Sequence, residues 1–230
     1  MNERQKRALL ALMIEREVLT FGEFTLKSGR QSPYFFNLGS IDSGRAMQRL
    51  GESYADHLEG SGLEFDVVFG PAYKGIPIAV ATGLALARKG EDVGIAFNRK
   101  EIKNHGEGGQ FVGAAVTGRV LIVDDVLTAG TAIREAVQLV REVGGEITGV
   151  VIALDRQELN QSGRTAVADL EDELGVPVTS LLCLADVIEY LDLSARGNKD
   201  HEATLAKIRS YQQAHCAGQN HEARRAESTR

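Results

Sequence analysis

The chain has 230 residues but only two cysteines, Cys183 and Cys216. They show neither metal-ligand nor C-x-x-C spacing, which excludes a disulfide framework and a zinc site. A reducing, cytoplasmic setting is the expectation that follows. Positive charge is also scarce: 26 Lys and Arg stand against 32 Asp and Glu, a formal net charge of -6. General nucleic-acid binding normally shows as a basic excess, so it is not expected here, and an anionic ligand must meet locally clustered cations. No apolar run is long enough to span a bilayer, because the longest, residues 75–87, is short and contains Pro77 and Gly83. Residues 1–19 offer no small-residue cleavage site and mix Arg4, Lys6, Arg7, Glu15 and Arg16 into their apolar positions, which reads as an amphipathic helix. There is no internal repeat. What remains is a soluble chain whose 43% apolar residues suffice for one sizeable core.

From residue 65 onward, short apolar runs ending in Gly, Asp or Pro alternate with helical periodicity. That alternation is the signature of β-α units, and it predicts an α/β fold with a mainly parallel five-stranded sheet flanked by helices. The strands are predicted at 66–69, 93–97, 120–123, 147–154 and 178–182, each apolar enough for burial on both faces. Helices are predicted at 76–88, 131–143, 164–174, 184–191 and 202–215, with Gly144 and Gly145 as stops. Residues 21–42, punctuated by Gly and Ser, read as short strands and turns. A single domain over 1–216 is expected, and 217–230, polar and aperiodic, reads as a frayed tail.

The chemistry concentrates in residues 120–131. An apolar strand runs into Asp124 and Asp125, then Val126 and Leu127, then the small residues Thr128, Ala129, Gly130 and Thr131 at a helix start. This order places two acids and a loop at a strand's carboxyl end, where open α/β sheets bind ligands. Small residues at a helix N-terminus can turn several N–H groups onto a phosphate, while carboxylates accept well from a vicinal diol. A sugar phosphate fits that pair of features better than a nucleoside triphosphate. Neither G-x-x-x-x-G-K-[ST] nor a strand-following G-x-G-x-x-G occurs, which lowers the case for an NTPase or a nicotinamide-dependent dehydrogenase.

The stretch Val-Leu-Ile-Val-Asp-Asp-Val-Leu-Thr-Ala-Gly-Thr at 120–131 resembles the phosphoribosyl pyrophosphate (PRPP) signature of type I phosphoribosyltransferases. Three further motifs stand in matching order: Lys-Ser-Gly-Arg and Ser-Pro-Tyr-Phe-Phe within 24–36, Gly-Pro-Ala-Tyr-Lys-Gly-Ile-Pro at 70–77, and Arg-Lys-Glu-Ile-Lys-Asn-His-Gly-Glu-Gly-Gly at 99–109. Together they resemble the orotate phosphoribosyltransferases. The resemblance implies the type I fold with a small N-terminal hood, formed mainly by 1–45 with C-terminal segments. It also implies transfer of a phosphoribosyl group from PRPP to orotate, giving orotidine 5'-monophosphate and diphosphate in pyrimidine synthesis.

Site residues follow from the same motifs. Tyr73 and Lys74, in a Gly-flanked turn, are suited to the diphosphate, although a solvated lysine is the alternative. Arg99, Lys100, Lys103 and His105 lie in a polar, Gly-rich stretch, with Gly106, Gly108 and Gly109 as hinges. Taken alone this stretch reads equally as a solvated loop; the resemblance implies a mobile lid that completes the partner subunit's site in a homodimer. Phe35 and Phe36 read equally as core aromatics or as walls of the orotate slot. Arg156, after the 147–154 strand, can bind the carboxylate that distinguishes orotate from uracil, although a strand-end surface arginine is the alternative. Lys27 is carried by resemblance alone as a contact to both substrates. Val126 to Ala132 are expected to hold the phosphate, with Thr128 also near the base. Asp124, Asp125, Lys103 and His105 are the expected catalytic positions. Magnesium is expected on PRPP or diphosphate, reaching Asp124 or Asp125 through water, with no metal bound directly by protein. His57, His201, His215 and His221 have no cluster spacing and read as surface or helix residues. A purine or uracil phosphoribosyltransferase, or a PRPP-sensing regulator on the same fold, are the competing readings.

Overall fold

The computed structural model describes residues 1–26, 28–103, 109–127, 130–195 and 199–217. Helix α1 (Glu3–Glu15) starts at Asn2, whose side chain accepts the Gln5 N–H while the Gln5 side chain accepts the Asn2 N–H. This reciprocal cap satisfies two N–H groups that a helix start leaves open. Strands β1 (Leu19–Thr25) and β2 (Gln31–Phe36) then pair antiparallel as a separate two-stranded sheet, in the region expected to form short strands. Helix α2 (Gly44–Glu59) follows and was not among the predicted helices. Its buried stripe, Leu50, Tyr54 and Leu58, has helical spacing and Ser43 caps it, but Gly44 and Gly51 dilute the signal.

The main sheet is built from β3 (Val67–Gly70), β4 (Gly94–Lys103), β5 (Gly109–Gly113), β6 (Gly118–Val126), β7 (Gly145–Asp155) and β8 (Val178–Cys183), in the order β5-β4-β3-β6-β7-β8. The five predicted strands form its parallel body. The sixth, β5, is antiparallel to β4, was not among the predicted strands, and starts at Gly109, where the expected lid ends. Lys103 at the end of β4 pairs with Gly109 at the start of β5. Helices α3 (Gly75–Arg88), α4 (Thr131–Glu142), α5 (Ala166–Leu174), α6 (Leu184–Ala195) and α7 (Lys199–His215) complete the chain.

Strand alternation explains the layers. Leu121, Val123 and Val151 face a core shared with α1, α2, α3, α6 and α7, whereas Val120, Ile122, Val150 and Ile152 face α4 and α5. Each such aliphatic side chain taken from water contributes about 1.5–3 kcal/mol. Burial on both faces accounts for runs that are apolar without alternating.

One feature of the order positions the site. From β3 the chain goes by α3 to β4 on one side, while β6 lies on the other. The winding therefore reverses between β3 and β6, leaving a crevice outside their carboxyl ends. Among the described residues no helix is long and apolar enough to cross a membrane.

Candidate active site

Two predicted segments meet in that crevice. The turn after β3 carries Tyr73 and Lys74, and the end of β6 carries Asp124 and Asp125. Lys74 Nζ lies 2.7 Å from Asp125 Oδ2. The turn is tight: a Cβ on Gly70 would sit 2.1 Å from the Gly75 carbonyl oxygen, so only glycine allows the two backbones to approach this closely. The Ala72 N–H donates to Asn98 Oδ1 at 2.9 Å, which ties the turn to β4. Tyr73 is 69% exposed, and the Lys100 ammonium lies 5.1 Å from its ring centroid.

Both aspartates are buried. Asp124 Oδ1 accepts the Asp125 N–H at 2.9 Å, and Asp125 Oδ1 accepts the Val126 N–H at 2.8 Å. Beneath them the Tyr54 hydroxyl donates to the Asp124 carbonyl at 2.7 Å. Desolvation, and then the charge of Asp125, pushes the Asp124 carboxyl up to about 7, against the opposing pull of the Asp125 N–H and Lys74. An acid held in this way can change protonation near neutral pH. Gly130 adopts φ 72° as the N-cap of α4, and no side chain caps that helix. Its first-turn N–H groups, with Thr131 and Ala132 exposed, face outward with the positive end of the helix dipole. Leu127 is packed into the core, so only its backbone is available.

The neighbouring strand ends at a different kind of site. Val126 pairs with Leu154 in register, so Arg156, two residues further on, stands level with the loop after β6. Arg156 is only 7% exposed. Its Nε donates to Glu158 Oε1 at 2.7 Å, its Nη2 to Ser32 Oγ at 3.1 Å, and its guanidinium carbon lies 4.2 Å from the Tyr34 ring centroid. The predicted aromatic pair is divided by the alternation of β2. Phe36 is buried in the core, while Phe35 is 43% exposed and stacks on Phe24 with centroids 5.5 Å apart. Arg156 therefore packs on the Ser32 and Tyr34 face of β2, opposite Phe35.

A family model described as phosphoribosyl transferase domain matches residues 37–169, more than half of the chain. The chain belongs to the phosphoribosyltransferase family. It is 54% identical over 192 residues to an orotate phosphoribosyltransferase of Methylococcus capsulatus, covering 83% of this chain and 90% of that protein. Over 207 residues it is 52% identical to the Pseudomonas aeruginosa orotate phosphoribosyltransferase, covering 90% and 97%. Among solved structures, the orotate phosphoribosyltransferase of Francisella tularensis superposes with a TM-score of 0.79 at 37% identity, covering 91% of this chain and 100% of that one. The Mycobacterium tuberculosis orotate phosphoribosyltransferase in complex with PRPP gives 0.61 at 29% identity, covering 79% and 98%.

Several positions that the family resemblance singled out lie outside the described residues: Lys27, His105, Thr128, Ala129, the hinge glycines Gly106 and Gly108, His221 and the tail from 218 onward. The backbone of Lys103 is described and pairs with Gly109, so the flanks of the expected lid are strand rather than loop. Arg99 Nη1 donates to the Gly109 carbonyl at 3.1 Å, across the same hairpin. Among the described residues, no three His, Cys, Asp or Glu side chains converge as a metal site. His57 is a helix residue, but it is partly buried, with Nε2 2.9 Å from Thr179 Oγ1, and burial lowers it to about 4. The sequence reading missed Tyr54, Asn98, Ser32 and Glu158. Tyr54, Asn98 and Ser32 act through contacts to residues far away in the chain, and Glu158, although only two residues from Arg156, is fixed by the distant Tyr211; no local pattern announces such contacts.

Proposed function

We propose that this family member is an orotate phosphoribosyltransferase that joins orotate to PRPP, giving orotidine 5'-monophosphate and diphosphate in pyrimidine nucleotide synthesis. One observation carries the proposal. A phosphate-type helix start with two acids and Lys74 stands at the switch point, and a buried arginine stands at the adjacent strand end. The first arrangement suits PRPP. The second suits a planar base bearing a carboxylate, which uracil and purines lack.

In the reaction the bond from ribose C1 to the diphosphate oxygen breaks and a bond from C1 to a ring nitrogen of orotate forms. Negative charge grows on the leaving diphosphate, and positive character grows on the ring. Lys74, the backbone around Tyr73, and Arg99 with Lys100 supply the counter-charge for diphosphate, with Lys103 and His105 of the expected lid closing over it. Asp124 and Asp125 accept from the ribose hydroxyls and, when ionised, favour the cationic sugar. The backbone from Val126 to Ala132 holds the 5'-phosphate. Lys27, Thr128 and Arg156 bound the orotate slot, and Phe35 and Phe36, whose rings point to the other face of β2 and into the core, meet it through backbone groups alone. Asp124 and Asp125 would be the residues to meet magnesium, which would supply counter-charge for the diphosphate; two carboxylates beside the phosphate site fit that role.

The working unit is a homodimer in the cytoplasm, with sites shared between subunits and residues 1–45 with C-terminal segments forming the hood. An exposed apolar stripe on and just before α3 supports the dimer: Tyr73, Pro77, Val80 and Leu84 recur at helical spacing, and Leu84 is 60% exposed. Sedimentation of a single species at the chain mass of 24.9 kDa would argue against it. The activity is tested by following orotate's ultraviolet absorbance with pure protein, PRPP and magnesium. Loss of orotate is expected, with no product when uracil or hypoxanthine replaces it; unchanged absorbance would sink the assignment.

A further inference from the structure

Arg156 is held in place by parts of the chain remote from its own strand. Gln157, next to it, adopts φ 55°, a left-handed conformation that non-glycine residues seldom take. Three contacts hold it there. Its N–H donates to Asp155 Oδ1 at 2.8 Å, its Oε1 accepts the Ala185 N–H at 3.2 Å, and its carbonyl accepts the Ala217 N–H at 2.9 Å. The end of α7 continues this attachment as a strand-like pairing, with Leu159 N–H donating to the His215 carbonyl at 2.8 Å and Glu158 bridged to Cys216.

Glu158 then joins the two parts. Its Oε1 accepts from Arg156 Nε at 2.7 Å, lies 2.6 Å from Arg156 Nη2, and accepts the Tyr211 hydroxyl at 2.6 Å. Arg30 Nη1 lies 3.4 Å from Glu158 Oε2. A free arginine side chain has many rotamers, and ordering them on ligand binding costs affinity. A carboxylate that engages two nitrogens of one guanidinium edge fixes the plane of the group, and a hydroxyl from α7 fixes the carboxylate.

We propose that Glu158 and Tyr211 are positioning residues that set the Arg156 guanidinium for the carboxylate of the base, so that α7 takes part in selecting the base. The inference rests on the proposed role of Arg156 toward orotate. The competing possibility is an ion pair that only stabilises the fold, and steady-state kinetics separate the two.

The full chain is assayed as Tyr211→Phe, Glu158→Ala and Arg156→Lys, with KM for orotate and for PRPP measured separately beside a thermal melt. Tyr211→Phe keeps its ring and is expected to raise KM for orotate about three- to tenfold while leaving KM for PRPP within about twofold. Glu158→Ala is expected to raise it further, and Glu158→Gln, which keeps an acceptor, to recover part of the loss. Should Glu158→Ala fail to fold, Tyr211→Phe still decides. An unchanged or lowered KM for orotate in Tyr211→Phe, or equal rises in both KM values, overturns the positioning role. If Arg156→Lys leaves KM for orotate unchanged, the carboxylate role of Arg156 falls instead.

Discussion

The two ends of the candidate site are built in different ways. The PRPP end is a product of the sheet: Lys74 and Asp125 meet because β3 and β6 are neighbours whose connections wind in opposite directions. The base end is an assembly of distant pieces. Arg156 at the end of β7 is held by Ser32 of β2, by Glu158, and through Glu158 by Tyr211 of α7. A site made by strand order depends on the core, whereas a site made by side-chain bridges depends on a few hydrogen bonds. Substitutions at the first end should disturb PRPP handling and stability together, and those at the second should disturb orotate handling with little else.

The largest effect is expected from Asp124→Asn. Asp124 binds its proton more tightly in the folded chain than an ordinary carboxyl does, so stability falls as pH rises from about 4 through about 7, and the full penalty is present above that. The amide removes this penalty. In thermal melts the ligand-free variant should then lose this fall across the window, keeping the opposite rise that the lowered His57 contributes between about 4 and 6.5, and at pH 8 be more stable than the parent by about 1–3 kcal/mol. KM for PRPP should rise at the same time. A variant with the parent's pH dependence would show that the acid pair is not under electrostatic strain.

A smaller effect is expected from Ser32→Ala at the other end. It removes one hydrogen bond to Nη2 while Glu158 still holds the guanidinium. KM for orotate should rise about two- to fourfold, with the melting temperature nearly unchanged. A parallel rise in KM for PRPP would break the distinction between the two ends.

The same contrast explains what the sequence made legible. The five parallel strands and the acid pair were readable because each is a local pattern: a doubly buried apolar run, then acids, then small residues at a helix start. Helix α2 escaped because its glycines blur an otherwise regular stripe, although its Tyr54 supports the Asp124 backbone from below. Strand β5 escaped because glycines and polar residues around a short apolar run read as loop until β4 offers an edge to pair with. Arg156 could be picked out by its strand-end position, but Glu158, Tyr211 and Ser32 could not be joined to it. The Ser32 contact spans 124 positions of sequence, and no periodicity encodes it.

The pairing of residues 215–217 with the loop after β7 also bears on the order in which the molecule is completed. Synthesis runs from the N-terminus, and contacts of large sequence separation are the slowest to form. The crevice between β3 and β6 can close once α4 has been made, but the pocket around Arg156 has to wait until α7 has left the ribosome. A nascent chain stalled before Tyr211 would therefore hold its PRPP cradle with the base end still open.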